Sequence, residues 1–170
     1  MAGVETITSV NGPADRECYD PRRPHSAMES RRTLVVPGSL DGVRRAAAAL
    51  DEFSREALLP AGDLWPFQVT LDEVLSNVVR HGYGADAPSS REIEVQFGLK
   101  DGVLELVIQD DAAPFDPLAE APPDTASLER PPGGLGIFLV RRLMDEVAYE
   151  RREGRNRLVC RRSVGGGAWT

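Results

Sequence analysis

Strict alternation of apolar residues on either side of Lys100-Asp101-Gly102 constrains this chain most: Ile93, Val95, Phe97 and Leu99 precede the tripeptide, and Leu104, Leu106 and Ile108 follow it. Successive side chains of a strand point to opposite faces, so this spacing puts the apolar set on one face of a β-hairpin with a tight Asp-Gly turn. A hairpin with one apolar face folds only if something covers that face. The preceding sequence supplies the cover. Val43, Ala46, Ala47, Leu50, Phe53 and Leu58 recur at helical spacing up to Pro60, with Ser39 placed to cap. A second helix is predicted from about Asp63 to His81, where Leu71, Val74, Leu75 and Val78 mark a buried face and Gly82 and Gly84 end it.

Thr33–Val36 reads as a strand closed by Pro37-Gly38, and a third helix is predicted from Ile137 to about Met144. Residues 147–152 and 158–162 read as a closing hairpin around Gly154-Arg155-Asn156. This order predicts an α+β fold, a two-layer sandwich of a mostly antiparallel sheet with helices on one face. Residues 1–31 carry Pro13, Pro21 and Pro24 and no hydrophobic period, which predicts a disordered N-terminal tail; 32–162 then form one domain and 163–170 a flexible tail.

The chain has a formal net charge of −7, which repels phosphate backbones and argues against direct nucleic-acid binding. Cys18 and Cys160 stand alone, without disulfide or zinc spacing, which fits a reducing, cytoplasmic setting. No apolar run approaches the roughly 20 residues of a membrane helix, and the first 30 residues lack the core of a signal peptide.

Three groups of residues have chemical potential. Glu73 and Asn77, four apart on the second helix, point the same way and offer hard oxygen donors suited to magnesium or an ordered water; a solvated surface pair is the alternative. Asp110 ends the apolar row Leu104, Leu106, Ile108, which puts a carboxylate at a pocket mouth where it could accept from the exocyclic amine of adenine. Alternatively, Asp110 and Asp111 simply start a turn. Gly133-Gly134-Leu135-Gly136 leads into the third helix and could cradle phosphates at its N-terminus, or be a tight packing turn. The segment 111–132 far exceeds the usual connection of about 4 to 6 residues and reads as a lid or binding loop. The only lysine, Lys100, lies at a turn, so neither a P-loop nor the strand lysine of ordinary protein kinases is available. There is no GxGxxG in a βαβ unit and no GxSxG.

Taken together, Glu73-xxx-Asn77-xxx-His81-Gly82-Tyr83, Asp110-Asp111-Ala112-Ala113-Pro114-Phe115-Asp116-Pro117 and Arg130-Pro131-Pro132-Gly133-Gly134-Leu135-Gly136 resemble the anti-sigma-factor serine-protein kinases. These form a branch of the gyrase, heat-shock-chaperone, histidine-kinase and mismatch-repair ATPase superfamily. The resemblance implies binding of ATP with Mg2+, where Asn77 holds the metal, Asp110 reads adenine, and Gly133, Gly134, Leu135 and Gly136 meet the phosphates. Arg130 would reach the γ-phosphate and Glu73 would be the catalytic base, while His81 reads as a helix-end residue. The implied partners are a sigma factor and an anti-anti-sigma protein of the STAS class, with a homodimer as a further expectation of the family. A nucleotide-gated partner switch without phosphoryl transfer, or a plain ATPase, are the alternatives. One departure stands out: the family usually carries Asp-x-Gly where this chain has Ala112. If the backbone there needs a positive φ, alanine costs about 1 kcal/mol or the loop is reshaped.

Overall fold

A computed structural model of the protein describes residues 8–9, 30–84, 90–119 and 135–165. Its strands are β1 (Thr8–Ser9), β2 (Ser30–Pro37), β3 (Glu92–Lys100), β4 (Val103–Asp110), β5 (Glu146–Arg152) and β6 (Arg155–Ser163). They form one sheet in the order β1-β5-β6-β4-β3-β2, with every neighbouring pair antiparallel. The helices are α1 (Leu40–Glu56), α2 (Ala61–Asn77) and α3 (Leu135–Leu143). This is the expected α+β sandwich. Within the expected N-terminal tail, Thr8–Ser9 pair with Val147 and Glu146, and Ser30 and Arg31 already belong to β2; the rest of 1–29 lies outside the described residues. At the other end the chain is held as far as Gly165. The buried Val164 donates its N–H to the Gly102 carbonyl at 2.8 Å, and the Gly165 N–H donates to Asp63 Oδ2 at 2.7 Å.

The alternating residues of β3 and β4 do face the helices. Val95 pairs with Ile108 and Phe97 with Leu106, all buried beneath Leu50 and Phe53 of α1 and Phe67 and Leu71 of α2. The Phe53 and Phe97 rings lie 5.8 Å apart at 40°, a tilted aromatic pair joining α1 to the sheet. The opposite face carries the buried cross-strand pair Val107 and Val159, flanked by a charged row in which Arg161 bridges Glu105 on β4 and Glu146 on β5. Half-exposed pairs of this kind add little stability but make that face polar.

Ser39 caps α1 as expected, its Oγ accepting the Gly42 N–H at 3.3 Å. The helix stops at Glu56, however, so Leu58 is not part of the buried stripe. It sits at φ 55 and is 87% exposed. Leu58 N–H reaches the Arg55 carbonyl and Leu59 N–H the Ser54 carbonyl, the paired bonds of a Schellman cap in which a leucine holds the left-handed position usually given to glycine. Leu58→Gly is therefore expected to stabilise the protein by about 1 kcal/mol, read as a higher urea midpoint at unchanged slope.

The second helix starts at Ala61, directly after Pro60, and its α-helical part ends at Asn77 rather than His81. Val78–Tyr83 continue it as a π-helical turn, which Gly84 stops at φ 79. The closing hairpin also turns earlier than expected. Glu153 (φ 54) and Gly154 (φ 79) form a two-residue loop, since Arg152 pairs with Arg155. Asn156 consequently lies inside β6, on the same face as Leu158 and Cys160. Cys160 is wholly buried, and burial pushes its thiol up to about 12, so it behaves as a small apolar residue.

Candidate nucleotide-binding site

A cavity of about 360 Å3 opens between α2 and the end of β4, within the roughly 300 to 1,000 Å3 typical of small-ligand sites. One wall is the helical face Val74, Asn77, Val78, His81 and Gly82, spaced three and four apart. The sheet contributes Ile108, Asp110, Asn156 and Leu158, the loop after β4 contributes Ala112 to Phe115, and α3 contributes Ile137. Asn77, Asp110 and Ala112 thus line one cavity, and His81 joins them although the sequence marks it only as a helix end.

Glu73 does not line this cavity. One turn before Asn77, it lies against the first turn of α3, where a Cβ on Gly136 would come within 2.0 Å of Glu73 Oε2. The helix begins at Leu135, two residues ahead of expectation, which places a carboxylate beside a helix N-terminus, a favourable pairing. Arg130, Gly133 and Gly134 lie outside the described residues, as does the lid-like segment from 120 onward.

Asp110 is 4% exposed and its Oδ1 accepts two donors, the Ala112 N–H at 2.9 Å and Asn156 Nδ2 at 2.8 Å. The bond to Ala112 is a local turn contact, so the turn-forming and pocket readings of Asp110 hold together. Burial raises its pKa above the ordinary 3.8, with the bonds from Asn156 and Ala112 working against that rise. The neighbouring Asp111 goes the other way. Burial would raise it, but the Tyr83 hydroxyl and the Arg91 guanidinium outweigh that and hold it below the usual carboxylate range. Arg91 also sits over the Tyr83 ring, 5.5 Å from its centroid, so this cluster ties the π-helical turn to the loop after β4.

Ala112 is free of the strain its substitution for glycine would suggest. Among the described residues the non-glycine positive φ values fall at Leu58, Asp101 and Glu153, not at Ala112. Its methyl group fills space that Gly82 leaves open, because a Cβ on Gly82 would come within 2.9 Å of Ala112 Cβ. Gly82→Ala is therefore expected to cost about 1 to 3 kcal/mol by overpacking, and adding Ala112→Gly to recover most of that loss. Denaturant melts of the two single variants and the double variant measure the coupling.

Sequence reasoning missed Asn156, Tyr149 and Arg151. Asn156 Oδ1 accepts from Tyr149 Oη at 2.8 Å and Arg151 Nη1 at 2.6 Å, while its Nδ2 donates to Asp110 and to the Ala113 carbonyl at 3.1 Å. The clue was available: Asn156, Leu158 and Cys160 share a period of two, but only if the turn is placed at 153–154.

Residues 36–162 match the histidine kinase-like ATPase domain, and the chain belongs to that family. The match to an ATPase domain implies that the chain uses ATP. Among curated proteins the chain is similar to the serine-protein kinase RsbW of Bacillus licheniformis, 33% identical over 98 residues that cover 54% of this chain and 60% of that one. It is also similar to the serine/threonine-protein kinase BtrW of Bordetella bronchiseptica, 35% identical over 96 residues covering 54% of this chain and 66% of the relative. The match thus spans less than two thirds of either relative. Among solved structures, the RsbU and RsbW domains of a Mycobacterium tuberculosis protein superpose with a TM-score of 0.58 at 18% identity, covering 79% of this chain and 32% of that chain, which shows a shared fold. No helix among the described residues is long and apolar enough to cross a membrane.

Proposed function

We propose that the protein is a Mg-ATP-dependent serine/threonine protein kinase and anti-sigma factor, which sequesters a sigma factor and phosphorylates a STAS-class anti-anti-sigma protein. The observation that carries this reading is the convergence of Asn77 and the buried, doubly bonded Asp110 in one cavity, with Glu73 one helical turn away. Magnesium takes one or two protein oxygen ligands and completes its shell with phosphates and water, and the amide oxygen of Asn77 would be the protein ligand. Bound Mg-ATP supplies the transferable phosphoryl group and its charge neutralisation. The chain's own residues would then do the positioning: Asp110 would accept from the adenine amine, Leu135 and Gly136 with Gly133 and Gly134 would hold the phosphates, and Arg130 would bind the γ-phosphate. Glu73 would orient the acceptor hydroxyl and take its proton late in the transfer. Homodimerisation and a cytoplasmic location belong to the same reading.

One observation favours a second reading, a nucleotide-gated partner switch without transfer: Glu73 faces Gly136 rather than the cavity. The deciding experiment incubates the protein with labelled ATP, magnesium and its candidate antagonist. Transfer of label to a serine or threonine of the antagonist, lost in Glu73→Ala while ATP binding persists, supports the kinase. Binding of both ATP and antagonist by wild type with no transfer leaves only the switch.

The raised pKa of Asp110 gives a pH signature. As pH falls through it, the carboxylate gains a proton and stops acting as a pure acceptor, so ATP affinity is expected to decline at a pH above the ordinary aspartate range. Its effect on the fold has the opposite sign. A buried carboxyl with a raised pKa costs stability once pH exceeds the unfolded value, and acidification removes that cost. Calorimetric titration with ADP across pH, beside denaturant melts, separates the two.

A further inference from the structure

Asp110 and Asn156 face each other across β4 and β6, and Asn156 in turn faces Arg151 across β5 and β6, so the three lie in one row of the sheet. Both Asp110 and Asn156 are nearly inaccessible, at 4% and 6% exposure, yet both line the cavity. An asparagine side chain has one accepting and one donating end. Here the accepting end is committed twice, to the Tyr149 hydroxyl and the Arg151 guanidinium, so the donating end has to face Asp110. With Oδ1 of Asp110 filled by Asn156 and the Ala112 N–H, its other oxygen is left for a ligand. Arg151 Nη1 also donates to the Ala112 carbonyl at 3.1 Å, and Asn156 Nδ2 to that of Ala113, so the same pair anchors the loop that carries Ala112.

We propose that Asn156, locked by Tyr149 and Arg151, is the positioning residue that aims Asp110 into the cavity and thereby makes the site select a purine bearing a 6-amino group. This inference rests on the adenine-reading role given to Asp110 above. An acceptor held in place favours the 6-amino group of adenine and is left unpaired by the 6-carbonyl of hypoxanthine. Each such difference at a buried charged acceptor corresponds to a preference of about ten- to a hundredfold.

The test measures dissociation constants of ADP and IDP for the full chain and its variants by calorimetry. Wild type is expected to prefer ADP at least tenfold. Asn156→Ala is expected to reduce that preference to within about threefold by weakening ADP more than IDP. Tyr149→Phe and Arg151→Gln leave the core filled and release the lock, so each is expected to lower the preference partway. They decide the matter should Asn156→Ala fail to fold. A full ADP preference retained in folded Asn156→Ala, or in both lock variants, overturns the proposal. Wild type binding ADP and IDP equally would overturn adenine reading by Asp110 and this inference with it. Wild type preferring ADP while the variants keep that preference removes the role of Asn156 alone.

Discussion

Replacing Asp110 by asparagine is expected to weaken ADP binding about a hundredfold while leaving the fold at least as stable. The substitution is nearly isosteric, but its environment makes it directional. Oδ1 of residue 110 receives two donors, the Ala112 N–H and Asn156 Nδ2. An asparagine there keeps its carbonyl oxygen turned toward those donors and must present its own NH2 to the cavity. An amine-bearing base then meets a donor instead of an acceptor. Losing a hydrogen bond to a charged group costs about 1.5 to 3 kcal/mol, and the opposed donors add to it, which together correspond to roughly two decades in Kd. Stability moves the other way, because burial disfavours the ionised carboxylate that the substitution removes. Calorimetry with ADP and a urea melt check both halves; unchanged ADP affinity sinks the assignment of Asp110.

Gly136→Ala is expected to abolish whatever depends on the Glu73 carboxylate. The added methyl group would come within 2.0 Å of Glu73 Oε2 and 2.7 Å of its carboxyl carbon, far inside contact distance. Because Gly136 is in the first turn of α3 and α3 packs on α2, either Glu73 swings away or the two helices separate. On the proposed kinase reading, phosphoryl transfer is expected to fall at least a hundredfold, the scale of a lost or misplaced general base. Adding Glu73→Ala distinguishes the two responses. If the clash alone is at fault, the double variant recovers the melting temperature and nucleotide affinity of wild type but not transfer. If it stays as unstable as Gly136→Ala, Glu73 is not what the glycine accommodates.

Much of the fold follows from local periodicity. Period two on β3 and β4 identified the buried faces of the hairpin and put Asp110 at the end of an apolar row, where it lies. Spacing of three and four along α2 put Asn77 on a usable face and predicted the burial of Leu71, Val74 and Leu75. Periodicity misplaced what depends on one residue more or less. Leu58 fits a helical stripe by spacing but lies past a Schellman cap, and Asn156 was assigned to a turn that in fact closes two residues earlier.

By itself, then, the sequence determined the order of elements from β2 onward, their inward faces and two of the residues that meet in the cavity. Those properties follow from bond geometry within a few residues, the alternation of a strand and the turn of a helix. Only the tertiary structure decided that Asn156 would hold Asp110 from 46 positions away, that Gly82 would leave room for the methyl group of Ala112, and that Glu73 would lie against Gly136 outside the cavity. These contacts are set by the register between strands and the packing of α3 on α2. A one-residue change in a hairpin turn moves every later side chain to the other face, so no pattern within one segment can specify which distant residue it will meet.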